Sequence, residues 1–223
     1  MDSHYLTASA ADNAALENLL VKGITSASSS ISASRCSADT QILDLACGNC
    51  RETEPLINGV RKSFLLTGSC VRFVGADIRG SHIAEAKQRA ASLKSLDFQA
   101  EFLLQDCSKL EQHNALGEDF SIVFLRHQNV WNDPAVWTRI FAEGLRRLAD
   151  EGLLVITSYF DREHRLAIKA IEGAGGELVT SVRNSHARAL RTPGKSVDRH
   201  LAVFRRKLTS RTEPEISPGL SLL

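Results

Sequence analysis

The chain has 223 residues, 27 Lys and Arg against 26 Asp and Glu, and 43% hydrophobic residues. That length buries a full core without disulfides or a structural metal. The net charge of +1 gives no argument for or against a nucleic-acid partner. No apolar run reaches the roughly 18–20 residues that span a bilayer, so no membrane association is expected. The N-terminus, MDSHYLTASAADNAAL, carries no basic-then-apolar signal. Five cysteines are an odd number in a chain that needs no staples, so a soluble, cytoplasmic protein is expected.

In chain order, Leu16, Leu19 and Leu20 recur at helical spacing, which predicts a short helix from Asp12 as N-cap to Gly23 as C-cap. Residues 24–40 are Ser-rich and nearly uncharged, the composition of a connector. Residues 1–40 are therefore read as a helix on a tether, a lid candidate in which Tyr5 or Leu16 closes on a pocket. Five short apolar runs follow: Gln41–Ala46, Val71–Ala76, Gln99–Leu104, Phe120–Leu125 and Gly152–Ser158. Such runs suit strands covered on both faces. Helical patterns alternate with them: Ile83, Ala86, Ala90 and Leu93; then Val136 to Leu148, opened by Asp133 and Pro134; then Asp161 to Gly175-Gly176. That alternation predicts an α/β fold with a doubly wound, mostly parallel sheet. Glu177–Arg183 and Val197–Arg206 lie too close together for a helical crossover, so the last of seven strands is expected to be antiparallel. The domain is bounded at 41–207, and the Pro- and Ser-bearing residues 208–223 are expected to be disordered.

The turn after the first strand reads Asp44-Leu45-Ala46-Cys47-Gly48-Asn49-Cys50-Arg51. As a dinucleotide fingerprint it fails at Arg51, where a glycine is wanted for helix packing, and its next strand-terminal acid, Asp77, comes late. As a redox CxxC, Cys47 and Cys50 stand between a strand and a helix, but no cis-proline strand follows to complete a thioredoxin-like unit. Cys36, Cys70 and Cys107 supply no second CxxC pair, so no metal site is expected.

Ile42 to Cys50 resembles the first motif of the class I S-adenosylmethionine-dependent methyltransferases, an acid followed by a GxGxG-like turn. Three further segments match in order: Val74-Gly75-Ala76-Asp77-Ile78, Phe102 to Cys107 with Asp106, and the closing hairpin. The resemblance covers roughly residues 40–207. It implies a Rossmann-like fold and S-adenosyl-L-methionine as cofactor, framed by Asp44, Ala46, Gly48, Asp77, Ile78, Asp106, Cys107 and Arg126. Asp77 would accept the ribose hydroxyls, and Asp106 the adenine amino group. Acids at successive strand ends also suit the general rule that open α/β sheets bind ligands beyond the carboxyl ends of their strands.

Methyl transfer needs an acceptor held in line and, for oxygen or a protonated amine, a base. The fourth strand ends in Arg126-His127-Gln128-Asn129. His127 is the candidate base because it titrates near neutrality, and Asn129 is the candidate for orienting the acceptor. Neither an Asn-Pro-Pro-Tyr nor a Pro-Cys signature is present, which disfavours the adenine, glutamine and cytosine acceptors of those signatures. From Arg183 to Arg211 there are nine basic residues and one acid, Asp198. Arg188, Arg191 and Lys195 are thus candidates to meet a small anionic acceptor, a carboxylate or phosphate. A nucleic-acid partner is disfavoured, because that segment carries only Phe204 for stacking. Two alternatives stand beside the enzyme. One is a non-catalytic cofactor-binding or partner subunit, its fourth-strand end occluded by Arg126 or Trp131. The other is a CxxC oxidoreductase with an accessible, low-pKa Cys47.

Overall fold

The computed structural model describes residues 3–28, 40–66, 70–93, 97–112 and 116–207. The side chain of Tyr5, most of the Ser-rich connector, Cys36 and the tail lie outside the described residues. Seven strands form one sheet: β1 (Thr40–Leu45), β2 (Val71–Asp77), β3 (Phe98–Leu104), β4 (Phe120–Arg126), β5 (Leu148–Ser158), β6 (Gly176–Arg183) and β7 (His200–Arg206). Their order is β3-β2-β1-β4-β5-β7-β6. β1 to β5 pair in parallel, and β7 inserts antiparallel to both β5 and β6. The expected α/β, doubly wound architecture with a reversed last strand is what the chain forms.

Strand alternation divides the core into two layers. Ile42, Phe73, Phe124, Val155 and Leu201 face one layer with α1 (Ser3–Ser28), α2 (Thr53–Ser63) and α3 (Gly80–Ser92). Leu43, Val74, Leu125, Ile156 and Ala202 face the other, covered by α4 (Pro134–Arg146) and α5 (Asp161–Gly173). The Asp133 carboxylate caps α4 by accepting from Val136 N at 3.1 Å, with Pro134 in the first turn. Among the described residues no helix is long and apolar enough to cross a membrane.

The first helix departs from expectation. It runs through Ser28, so Asp12 and Gly23 are internal rather than caps. Leu16, Leu20, Ile24 and Ala27 are fully buried, which extends the apolar stripe past Gly23. Gly23 lets the helix approach β7: a Cβ there would lie 2.3 Å from Leu201 Cδ2. Leu16 is therefore part of the core and does not close on a pocket. α2 had no clear signal in the sequence, since Pro55, Asn58 and Gly59 interrupt its periodicity. Gly59 is where Leu20 of α1 packs, with a Cβ position 3.0 Å from Leu20 Cβ.

Candidate active site

A cavity of about 580 Å³ opens at the carboxyl ends of β1, β4 and β5. Its floor is the turn after β1, with Ala46, Cys47 and Gly48. Arg126, His127 and Tyr159 form one wall, and Arg188, Leu190 and Val197 of the β6–β7 loop another. Asp12 and Asn13 of α1 close the remaining side.

The turn alternates into left-handed backbone at Ala46 (φ 54°), Gly48 (φ 55°) and Cys50 (φ 50°), a conformation that costs non-glycine residues and needs tertiary support. The support is specific. Cys47 N donates to Ala76 O at 3.1 Å, Gly48 N to Asp77 Oδ2 at 2.9 Å, and Ala46 N to Cys107 Sγ at 3.4 Å. Both thiols of the CxxC pack on β2 at Gly75, whose missing Cβ would lie 3.0 Å from Cys50 Sγ and 3.1 Å from Cys47 Sγ. Cys47 is buried, and its hydrogen bond with Cys50 together with burial pushes its thiol far up. An accessible low-pKa thiol, the mark of the oxidoreductase reading, is not what forms here.

The acids at the strand ends take distinct positions. Asp77 is 2% exposed, and its second oxygen accepts from Arg79 N at 2.8 Å. A carboxylate has about four lone-pair sites, so both oxygens keep capacity for a ligand. Asp106 accepts from Ser108 N and Oγ at 3.0 and 2.7 Å, which caps the 3-10 turn Cys107–Gln112 and lowers its pKa. Cys107 is buried, its thiol pushed up to about 12 by burial, and the side chain packs under the β1 turn. Ile78 and Leu104 are 65% and 61% exposed, an apolar pair at the ends of neighbouring strands. Asp77, Ile78 and Asp106 do not themselves line the cavity; Asp77 adjoins it through Gly48, which does.

Asp44 is fully buried, and neither of its oxygens meets a donor among the described residues. Burial and then the facing Glu52 carboxylate, within 4.8 Å, raise its pKa well above the usual range. Glu52 in turn accepts from Arg126 Nη1 at 3.2 Å. Arg126 reaches Asp198 with a bidentate fork, Nε–Oδ1 3.0 Å and Nη2–Oδ2 2.7 Å. Asp198 also accepts from Thr157 Oγ1 at 2.8 Å and lies 2.8 Å from His127 Nε2. Burial would raise the Asp198 carboxyl, but Arg126 and then His127 hold it well below the usual carboxylate range. His127 itself is pushed down by burial, opposed by Asp198. Its ring stacks on Tyr159 with centroids 3.6 Å apart.

Of the residues expected at the acceptor, His127 and Arg188 line the cavity, together with Arg126, which was expected on the cofactor side. Arg188 is tied to Asp12 of α1 by two bonds of 2.9 and 2.6 Å. Asn129 is exposed and off the cavity, and so is Arg191. Lys195 lies 4.2 Å from the Tyr159 ring centroid but does not line the cavity. Sequence reasoning missed Glu52, Tyr159 and the role of Asp198; the one available signal was Asp198 as the single acid in a basic stretch.

Residues 37–189, more than half of the chain, match the model of a family described as a methyltransferase domain. Comparison with curated proteins finds no match. Many solved structures share the fold, the following three among them. A TehB-like SAM-dependent methyltransferase from Corynebacterium glutamicum has a TM-score of 0.52 at 20% identity, covering 75% of this chain and 80% of that one. Magnesium protoporphyrin IX methyltransferase from Synechocystis with bound SAM has 0.51 at 18%, covering 74% and 69%. The [4+2]-cyclase SpnF has 0.57 at 14%, covering 78% of each. The last shows that this fold alone does not fix the reaction. On the family match, with an ordered set of strand-end acids that fits it, the chain belongs to the methyltransferase-domain family, within the class I S-adenosylmethionine-dependent enzymes.

Proposed function

We propose that this protein transfers a methyl group to a small acceptor bearing a carboxylate or phosphate, with His127 as the base. The observation that carries the reading is one cavity that gathers the β1 turn, His127 and Arg188 at the carboxyl ends of the strands.

The residues present fit S-adenosylmethionine. Asp77 offers a buried carboxylate at the end of β2, beside the exposed apolar pair Ile78 and Leu104, which suits a ribose next to a flat ring. His82 Nδ1 is buried, without a partner among the described residues, and 3.6 Å from where a Gly48 Cβ would stand. A polar atom left so at the cavity wall suits a ligand that completes it. When bound, the cofactor supplies an electrophilic methyl group on a sulfonium. Asp77, Ile78, Asp106 and the turn at Ala46–Gly48 would hold it.

The chain's own residues supply the rest. His127 lines the cavity, and burial favours the uncharged ring that can take a proton from an acceptor hydroxyl or ammonium. Arg126 is already held by two carboxylates and stays a wall. Arg188 differs: its side chain is 46% exposed, and it grips the Asp12 carboxylate with a two-bond fork that another carboxylate or a phosphate can fill in the same way. The end of β4 is also open. Arg126 is tied back, and Trp131 packs edge-on against Phe160 at 5.2 Å, off the cavity. That openness favours turnover over a non-catalytic subunit.

The test is label transfer from methyl-labelled S-adenosylmethionine to a panel of small acidic, neutral and cationic metabolites. Transfer to an acidic member, reduced by about 100-fold or more in His127→Gln, is expected. Transfer only to neutral or cationic members would contradict the anionic acceptor.

A further inference from the structure

We propose that the acceptor is a zwitterion: Arg188 takes its carboxylate or phosphate, and Asp12 of α1 takes a cationic group on the same molecule. The proposal rests on the reading of Arg188 as the anion site. It keeps the acidic group of that reading and adds a cation beside it.

The charges around the cavity are already matched. Arg51, Arg126 and Arg188 line it with Asp12 and Glu52, and Asp198 lies buried against Arg126. Three guanidinium groups thus stand against three carboxylates, and a guest of net charge upsets that balance. The pair that a guest at Arg188 disturbs is Arg188–Asp12, closed by Nε–Oδ1 at 2.9 Å and Nη2–Oδ2 at 2.6 Å. Among the described residues Arg188 is the cation that Asp12 pairs with, and the Asp12 side chain is only 16% exposed. A guest that is solely an anion therefore leaves a largely desolvated carboxylate without a counter-charge, which is unfavourable.

Neither backbone is placed to withdraw. Leu16 and Leu20, one and two turns along α1 from Asp12, are fully buried in the core and fix that face of the helix against the domain. The Arg188 carbonyl accepts from Val197 N at 2.9 Å, and Leu190 N donates to Lys195 O at 2.9 Å, so the β6–β7 loop is tied across its base. A guest with opposite charges close together meets both groups where they stand. Its anion fills the two-bond fork of Arg188, its cation sits on the Asp12 oxygens, and no charge is left unpaired. Compact amino acids and aminoalkyl phosphates have that form. A simple carboxylic acid or a lone amine does not.

Titration by saturation-transfer NMR on the full chain, with S-adenosylhomocysteine added, tests this with a panel of probes. The panel holds the standard α-amino acids and phosphoethanolamine, each beside its deaminated acid and its decarboxylated or dephosphorylated amine. At least one zwitterion is expected to bind about 10-fold or more tighter than either counterpart. Asp12→Asn should lower that zwitterion to the level of its deaminated acid and leave the acid itself unweakened. Arg188→Gln should weaken both. Deaminated acids that bind as well as their zwitterions, or no binding by any zwitterion, would overturn the proposal. A preference for the zwitterion that survives Asp12→Asn would overturn it too. Binding undiminished in Arg188→Gln would overturn the anion-site reading instead, a failure distinct from that of Asp12.

Discussion

His127 and Asp198 both hold left-handed backbone, with φ of 61° and 46°, and their side chains meet at 2.8 Å across 71 residues of sequence. Neither is glycine, so each conformation costs on the order of 1–3 kcal/mol and persists because the surroundings over-determine it. His127 N donates to Thr157 O at 2.9 Å, and Asn184 N to Arg199 O at 2.9 Å, which pins the backbone at the two strand ends. His127 lines the cavity, and Asp198 is buried beside it.

That backbone makes substitutions at 127 unequal. Asn tolerates left-handed φ far better than a β-branched residue. His127→Asn is expected to lie within about 1 kcal/mol of wild type in urea unfolding, and His127→Val to lose roughly 2 kcal/mol more. Equal losses would show that the φ is not a constraint.

Gly23 gives a test of how α1 docks. In an isolated helix Gly→Ala would stabilise by about 1 kcal/mol. Here the added Cβ meets the fully buried Leu201, so Gly23→Ala is expected to destabilise by about 1–3 kcal/mol. The double variant Gly23→Ala/Leu201→Ala should be less unstable than the sum of the two single losses, measured by denaturant unfolding.

His164 is buried between Ser158 Oγ at 3.3 Å and Ser181 Oγ at 2.8 Å, and its ring stacks on His200. Burial, then His200, lower its pKa to about 4. The unfolded chain takes up this proton near pH 6.5 and the folded chain only near 4, so its contribution to stability is lost as pH falls through that window. Glu163, raised to about 7 by burial, acts oppositely; its contribution is present at low pH and is lost as pH rises from about 4.5 to 7. His164→Gln therefore isolates the histidine. Unfolding curves between pH 7 and 4 should fall less steeply in the variant than in wild type.

The cysteines give a chemical readout. Cys47, Cys50 and Cys107 are buried, whereas Cys70 is half-buried. Among these four, mass-resolved alkylation of the native protein at pH 7.5 should modify Cys70 first, with Cys47 and Cys50 reacting only on unfolding. Fast labelling of Cys47 would revive a redox role.

The sheet was legible because near-continuous apolar runs between helical patterns leave few alternatives, and the acids at Asp44, Asp77 and Asp106 mark strand ends directly. The proposed cofactor side of the site rests on them. The acceptor side did not, because its contacts are long-range. Arg126 binds Glu52 and Asp198, which stand 74 and 72 residues away, and no local period records such pairing. Gly23 misled for a related reason. A glycine after a leucine stripe reads as a helix stop, and only the approach of Leu201 shows it to be a packing site. Arg191 and Lys195 were chosen by charge, whereas the turn of the β6–β7 loop decides that Arg188 alone of the three reaches the cavity.

If Asp77 and the Gly48 turn hold S-adenosylmethionine, calorimetric titration with S-adenosylhomocysteine will read that binding. Wild type is expected to bind with micromolar affinity and NADH not to bind. Asp77→Ala, verified as folded by circular dichroism, should lose about 100-fold or more, as removal of two charge-assisted hydrogen bonds demands. Absence of S-adenosylhomocysteine binding by the wild type, or affinity unchanged in Asp77→Ala, would rule this site out.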